Sequence, residues 1–431
     1  MEQITNHLLQ EQDLKHIFHP CTQMKDHEKL PLIPIKRGKG SYIEDFDGNV
    51  YLDCISSWWV NLFGHSNDFI NKRIAEQLED LEHVIFAGFT HKPAIDLATR
   101  LVALTPKPLQ KIFFADNGSS AVEISLKMSF QYFKNKNEIR PLFISLENSY
   151  HGETMGALAI SDIGIYKEVY EDILIKTIKA KSPAICSEDE AIDDIKRLLK
   201  ENVGKVSSVV IEPLVQCAGS MKMYNPSYIT KLREVCDEYG VFLICDEIAV
   251  GFGRTGTMFA IEQANISPDF LCLSKGITGG YMPLSVVMFT DDIYNAFYCD
   301  YNEGKSFLDS HSYTGNTLAC SVANAVLDIF ENENIIKKNQ EKILLIKEKT
   351  QKFTKLPNVD EVRQRGMICA IELKGYSSKQ RIGLEVFLKA LKEGVYIRPL
   401  GNVIYFMPPY CFTNEQLIKM IDTTYNIVKQ L

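Results

Sequence analysis

Between Lys111 and Phe289, short apolar runs alternate with longer stretches whose apolar residues recur every three or four positions. The runs are Lys111–Ala115, Pro141–Ser145, Val206–Ile211, Val241–Cys245, Phe270–Leu273 and Leu284–Phe289. They are short and apolar on both faces, which predicts strands covered on both sides, while Ala121–Phe133 and Pro226–Tyr239 carry the helical spacing. The alternation predicts an α/β domain with a largely parallel sheet between helices. It sets no strand order.

The chain ends read differently. Ser41–Asp53 holds two alternating runs around Asp47-Gly48-Asn49, a hairpin signal. Beyond about Ala325 the pattern predicts a long charged helix over Ile335–Thr354 and strands at Met367–Ile371 and Val403–Phe406. Both ends are expected to build one smaller α+β domain, so the chain divides into residues 1–64, 65–325 and 326–431. No internal repeat or low-complexity linker interrupts it, which predicts close packing of the two domains.

Composition narrows the function. The 431 residues are 45% hydrophobic and 24% charged, enough for a sizeable core, and the net charge of -8 argues against nucleic-acid or anionic-membrane partners. Small metabolites are the expected partners. The start, Met1 to Leu9, lacks a basic segment followed by an apolar run, and no apolar stretch nears the roughly 20 residues that cross a bilayer, so a cytoplasmic location is expected. The 11 cysteines include no C-x-x-C pair, and Cys217, Cys245, Cys272 and Cys320 sit in apolar or small-residue runs, as core thiols do. His65, His91, His151 and His311 are too scattered to suggest a metal.

The candidate chemistry centres on Lys275, which follows the acidic pair Asp246-Glu247 by 29 residues with one predicted strand between. A lysine amine condenses with an aldehyde, and a carboxylate nearby can hold a pyridine nitrogen protonated, so the pair points to an aldehyde cofactor whose ring is an electron sink. A carboxylate about 4 Å from a pyridinium, at an effective dielectric near 20, gains on the order of 4 kcal/mol, or about three pKa units. The plainer reading makes Lys275 a solvated loop residue and leaves both acids in water at a strand end. Against it, Gly276, Gly279 and Gly280 leave little bulk around the lysine, and ligands of open α/β sheets gather at carboxyl ends of strands.

Lys111–Glu123 reads as strand, polar turn and helix, aiming the amides of Gly118, Ser119 and Ser120 at an anion, with Ser120 and Glu123 also fitting a capping box. Gly251-Phe-Gly-Arg-Thr-Gly256 matches the dinucleotide pattern in letters only, since a strand follows too soon for the helix which that motif needs. Adjacent tryptophans in a strand point to opposite faces, so Trp58 and Trp59 predict one surface ring and one core ring. Tyr150-His151-Gly152 suits a pocket wall or a structural turn equally. Arg398 suits a bidentate carboxylate contact or an exposed edge.

These residues resemble the class III, fold-type I pyridoxal-phosphate aminotransferases over nearly the whole chain. Within them the chain is most similar to the biotin-pathway 7,8-diaminononanoate synthases, through His19–Met24, Ser56–Trp59, Thr90–Ala94, Ser149–Thr154, Cys245–Gly256 and Arg398–Gly401. The resemblance implies a homodimer that aminates 8-amino-7-oxononanoate. It implies that Lys275 carries the cofactor aldehyde, that Asp246 pairs with the pyridine nitrogen, and that Gly118 and Ser119 cradle the phosphate. On the same resemblance Tyr150 is expected to stack on the ring, and Glu212, His311 and Ser312 to join the cofactor set, with Ser310–Asn316 reaching the phosphate across the dimer. It likewise implies that Trp58, Trp59, Ser310 and Cys21 fall among the substrate contacts with Tyr150 and Lys275, and that Arg398 takes the substrate carboxylate.

Two departures bear on the amino donor. Cys21 stands where the S-adenosylmethionine-using members carry a tyrosine, and Ser310-His311-Ser312 stands where many have Gly-Pro-Thr, a form that resembles lysine-using members. Ser56–Trp59 and Thr90–Ala94 put S-adenosylmethionine slightly ahead of lysine. Another class III enzyme, an ω-amino-acid aminotransferase or an aminomutase, is the nearest rival. A pyridoxal-binding regulator without turnover is the alternative outside enzymes.

Overall fold

The computed structural model describes residues 4–431, so Met1–Gln3, the start of the segment read as lacking an export signal, lie outside the described residues. Seven strands form the central sheet: β1 (Leu109–Ala115), β2 (Leu142–Leu146), β3 (Ile178–Ala180), β4 (Val206–Ile211), β5 (Phe242–Asp246), β6 (Phe270–Leu273) and β7 (Ser285–Thr290). Their order is β1-β7-β6-β5-β4-β2-β3. Pairing is parallel from β6 through β5, β4 and β2 to β3, and only β7 runs antiparallel to its neighbours.

Strand side chains alternate between faces, and the core divides accordingly. Leu243, Cys245, Leu271 and Leu273 join one buried cluster, whereas Ile244, Phe270 and Cys272 join the other. Double burial explains why these strands read as continuous apolar runs. Each large side chain so covered contributes roughly 1.5–3 kcal/mol.

Helix Pro226–Tyr239 matches its predicted bounds, opening on proline and closing on Gly240 at φ 60°. Helix Gly118–Asn135 starts earlier than expected because Asn117, not Ser120, caps it, accepting the Ser120 amide at 2.9 Å. The expected Ser120–Glu123 capping box is therefore absent, and Glu123 instead accepts from Thr154 Oγ1 and the amides of Gly156 and Ala157. The charged helix ends at Thr350 and continues as a tight turn over Gln351–Lys355.

The hairpin forms as Tyr42–Asp45 against Val50–Asp53, and Val395–Tyr396 adds to it in parallel, so both ends of the chain share one sheet. Strand Val359–Arg365 went unpredicted, being an edge strand rich in charge, and it pairs with Ile368–Leu373 beside Val403–Phe406. Among the described residues no helix is long and apolar enough to cross a membrane.

Candidate active site

The floor of the site hangs from adjacent strand ends. Asp246 closes β5 and sits in register with Cys272 of β6, so Lys275, three residues on, reaches the same edge. Glu212 follows β4, Tyr150 and His151 follow β2, and Gly118 follows β1. All are at carboxyl ends, where open α/β sheets gather ligands. A cavity of about 160 Å³ is lined by Gly118, Ser119, Tyr150, His151, Glu212, Asp246, Lys275 and Trp59, among others.

Buried acids fix the electrostatics here. His151 Nδ1 lies 2.8 Å from Asp246 Oδ2, and Asp246 Oδ1 accepts the Ile248 amide at 3.1 Å. Both side chains are buried, so the plainer reading of Asp246 and Glu247 as solvated strand ends does not hold. His151 Nε2 is enclosed and has no hydrogen-bond partner among the described residues. Glu212 accepts the amides of Tyr150 at 2.9 Å and Cys217 at 3.0 Å, and burial, helped by the Asp246 charge, pushes its carboxyl up to about 8. Burial pulls the Lys275 amine below the ordinary lysine range, opposed first by Asp246 and then by Cys217 and Glu212. Its Nζ stands 5.1 Å from the centre of the Trp59 ring.

Beside this floor the opening turn of Gly118–Asn135 presents the amides of Gly118 and Ser119, which have no partner inside the helix. The turn is tight: a Cβ on Gly118 would come 2.9 Å from Ile248 Cγ2. Gly152 has φ +123°, and a Cβ there would lie 1.9 Å from Ser119 Oγ, which itself accepts the Glu153 amide at 3.0 Å. The Tyr150 hydroxyl donates to Glu153 Oε1 at 2.8 Å, and Cys21 Sγ lies 4.0 Å from that oxygen, so the chain's first loop meets the cavity wall.

The two tryptophans correct a prediction. They lie in no strand: Ser56, Ser57, Trp58 and Trp59 take φ of 52°, 45°, 73° and 74°, a left-handed turn. Such backbone costs roughly 1–2 kcal/mol per residue and needs its surroundings to hold it. Asp53 accepts the Ser57 amide and hydroxyl at 3.0 and 2.7 Å, and Ser56 Oγ donates to Met407 O. The buried Arg254 donates to the carbonyls of Trp59, Asn61 and Pro408 at 3.2, 3.2 and 2.8 Å. The expected split of rings survives, since Trp59 is buried with its Nε1 on Tyr405 OH at 3.0 Å and Trp58 is 40% exposed. The Arg398 guanidinium lies 4.6 Å from the Trp58 ring centre.

Ser310, His311 and Ser312 are absent from the residues lining this cavity. Three contacts at the site have no counterpart in the expectations: Arg254 as a support, Glu153 as the partner of Tyr150, and the pairing of His151 with Asp246. Arg254 lies in the glycine loop set aside as a false dinucleotide motif, and no helix opens there. Its full burial could not be read from the letters around it.

The sequence pattern of the class-III aminotransferases matches residues 23–428, and the chain belongs to that family. An adenosylmethionine-8-amino-7-oxononanoate aminotransferase of Helicobacter pylori is 48% identical over 426 residues, 97% of either chain. The crystal structure of the enzyme of that name from Methanocaldococcus jannaschii superposes with a TM-score of 0.96 at 38% identity, covering 98% of this chain and 99% of that one. A PLP-bound amine transaminase from an uncultivated Pseudomonas species gives 0.90 at 30% identity, covering 95% and 97%.

Proposed function

We propose that this aminotransferase uses pyridoxal 5'-phosphate to aminate 8-amino-7-oxononanoate to 7,8-diaminononanoate, with S-adenosylmethionine as donor. The observation that carries the reading is the convergence of Lys275, the His151–Asp246 pair and the free helix-opening amides on one cavity, in a chain similar to enzymes of that name.

The residues present suit the cofactor. The Gly118–Ser119 turn, where a Cβ would collide with Ile248, is a cradle for a phosphate, and Asp246, oriented by His151, is the carboxylate for a protonated pyridine nitrogen. Tyr150 supplies a ring face, and Glu212 fixes the backbone that carries it. His311 and Ser312 complete the phosphate set from a second subunit. When bound, pyridoxal phosphate supplies the aldehyde that takes up the amino group and a ring that withdraws electrons.

Lys275 holds and moves the proton. Its depressed pKa leaves more free base at neutral pH than an ordinary lysine has, so Nζ can accept a proton and return it. Arg398 binds the substrate carboxylate, Trp58 and Trp59 exclude water from the acyl chain, and Cys21, with Ser310 of a second subunit, edges the same space beside Tyr150. The division at residues 64 and 325, a homodimer and a cytoplasmic location belong to the same reading.

Lysine as donor is the second reading, favoured by Cys21, a thiol with no ring to stack on an adenine, at the mouth beside Glu153. Parallel assays of the purified protein with 8-amino-7-oxononanoate and each donor decide between them, read as 7,8-diaminononanoate by mass spectrometry. Product with S-adenosylmethionine alone is expected. No diamine with either donor, while an ω-amino acid reacts, overturns the substrate assignment, and bound cofactor inert to every amine points to a regulator.

A further inference from the structure

The loop Ser310–Asn316 is gripped by its own chain. His83 Nε2 donates to the Ser312 carbonyl at 2.7 Å, His91 Nε2 donates to the Gly315 carbonyl at 2.7 Å, and Asn316 Nδ2 donates to Glu82 O at 3.4 Å. The Tyr313 ring lies 5.1 Å from His83, and Phe86 closes on Gly315 so tightly that a Cβ there would come 3.1 Å from the phenyl ring. One short segment, Glu82 to His91, therefore meets the loop with two imidazole donors, a ring and a backbone carbonyl.

The chemistry of His91 is set by its neighbours. Its Nδ1 accepts the Ala94 amide at 3.2 Å as the cap of helix Lys92–Leu104, so the proton sits on Nε2 and the bond to Gly315 has one polarity. Inside the loop, the His311 carbonyl accepts from the amide and hydroxyl of Thr314, and His311 Nδ1 accepts the Tyr313 amide at 3.2 Å. The loop thus has a fixed internal turn, and His83 and His91 fix that turn to the body of the subunit. Ser312 and Tyr313 nevertheless face outward, exposed.

We propose that His83 and His91 are positioning residues for the cofactor phosphate bound in a second copy of this chain. By holding the carbonyls of Ser312 and Gly315 they aim the Ser312 hydroxyl, so phosphate affinity in one subunit depends on a clasp built in the other. The inference rests on the proposed role of Ser310–Asn316, and neither histidine touches the cavity that holds Lys275.

The test titrates apoenzyme dimers with pyridoxal 5'-phosphate and, separately, with pyridoxal, which lacks the phosphate. His83→Phe keeps a ring against Tyr313 and removes the donor, whereas His83→Gln restores an N–H. We expect His83→Phe to weaken pyridoxal 5'-phosphate about ten-fold, the size of one lost hydrogen bond, with pyridoxal unchanged and His83→Gln recovering most of the loss. Equal weakening of both ligands, or none, overturns the clasp. Ser312→Ala separates the two layers: if it leaves phosphate affinity intact, the loop assignment itself falls, and if it weakens affinity while His83→Phe does not, only the clasp falls. Should His83→Phe fail to dimerise, Phe86→Leu loosens the other half of the clasp, where Phe86 packs on Gly315 and His91, and is scored the same way.

Discussion

The floor and the rim of the cavity are built on opposite principles. Lys275, Asp246, His151 and Glu212 hang from the ends of parallel strands, with Asp246, His151 and Glu212 buried, the first two joined by a short hydrogen bond and Glu212 held on the Tyr150 amide. Trp58 and Trp59 sit on a strained left-handed turn that Asp53, Arg254 and Met407 hold from three separate parts of the chain. On the proposed function the floor moves protons, and such groups need preorganised charge, which rigid buried elements provide. On the same proposal the tryptophan turn meets the substrate, and a surface of that kind can use costly backbone, provided surrounding contacts over-determine it.

The largest effect is expected at the floor. Lys275→Ala should lower kcat by about 10⁴-fold, the upper range of general acid–base catalysis, while the melting temperature holds or rises because a poorly solvated amine is gone. Steady-state assays with differential scanning fluorimetry measure both. Multiple turnover within ten-fold of the parent protein would remove the floor from the chemistry.

Arg254 tests the rim with the next largest effect. Its guanidinium spans the carbonyls of Trp59, Asn61 and Pro408, and each charge-assisted bond is worth about 1.5–3 kcal/mol. Arg254→Gln cannot reach all three, so we expect about 3 kcal/mol less stability in urea unfolding. KM should rise more than kcat falls, because the tryptophan turn loosens while Lys275 stays seated. Loss of kcat alone would mean that floor and rim are one unit.

This contrast also explains what could be read from the letters. Apolar runs such as Val206–Ile211 and Phe270–Leu273 match observed strands because double burial leaves a local mark, and Lys275 and Asp246 follow such runs directly. Strand order had no such mark, since it is set by crossovers rather than by any residue. Ser56–Trp59 misled because Ser-Ser-Trp-Trp carries no mark of left-handed backbone: beside the neighbouring Asp53, the turn is held by Arg254 and Met407, 195 and 351 residues from the positions they grip. Asn117 outcompeted Ser120 as cap because its side chain reaches the Ser120 amide directly. The His151–Asp246 pair spans 95 residues and was legible only as two separate motifs.

A third test compares neighbours within the floor. Asp246 turns into the cavity, while Glu247 turns behind it and accepts the amides of Ala260 and Ile261 at 2.7 and 2.8 Å. Burial outweighs those bonds and pushes the Glu247 carboxyl up to about 8, against 4.5 for a free glutamate. Between those pH values the folded state keeps a proton that the unfolded state has lost, so this group lowers stability as pH rises through the window and adds no further change above it. Glu247→Gln cannot titrate. The melting temperature of the parent protein should therefore fall faster than that of the variant between pH 5 and pH 8, by roughly 2 °C or more. Parallel slopes would place the Glu247 charge in the folded state throughout.

Trp58 carries the smallest expected effect and the sharpest test of the division. Its ring is 40% exposed and faces the Arg398 guanidinium at 4.6 Å, a contact worth about 0.5–1 kcal/mol at an exposed site. Trp58→Ala removes the ring but not the turn, since Asp53 grips Ser57 and Arg254 grips Trp59, and alanine meets the same left-handed backbone that tryptophan does. Stability should fall by no more than about 1 kcal/mol, the size of that contact. KM for the carboxylate-bearing acceptor should rise about two- to five-fold, with kcat and the donor KM steady, because Arg398 keeps its charge and loses only the plate that orients it. A hundred-fold fall in kcat would move Trp58 to the floor, where a half-exposed ring on strained backbone would then be setting the geometry of proton transfer.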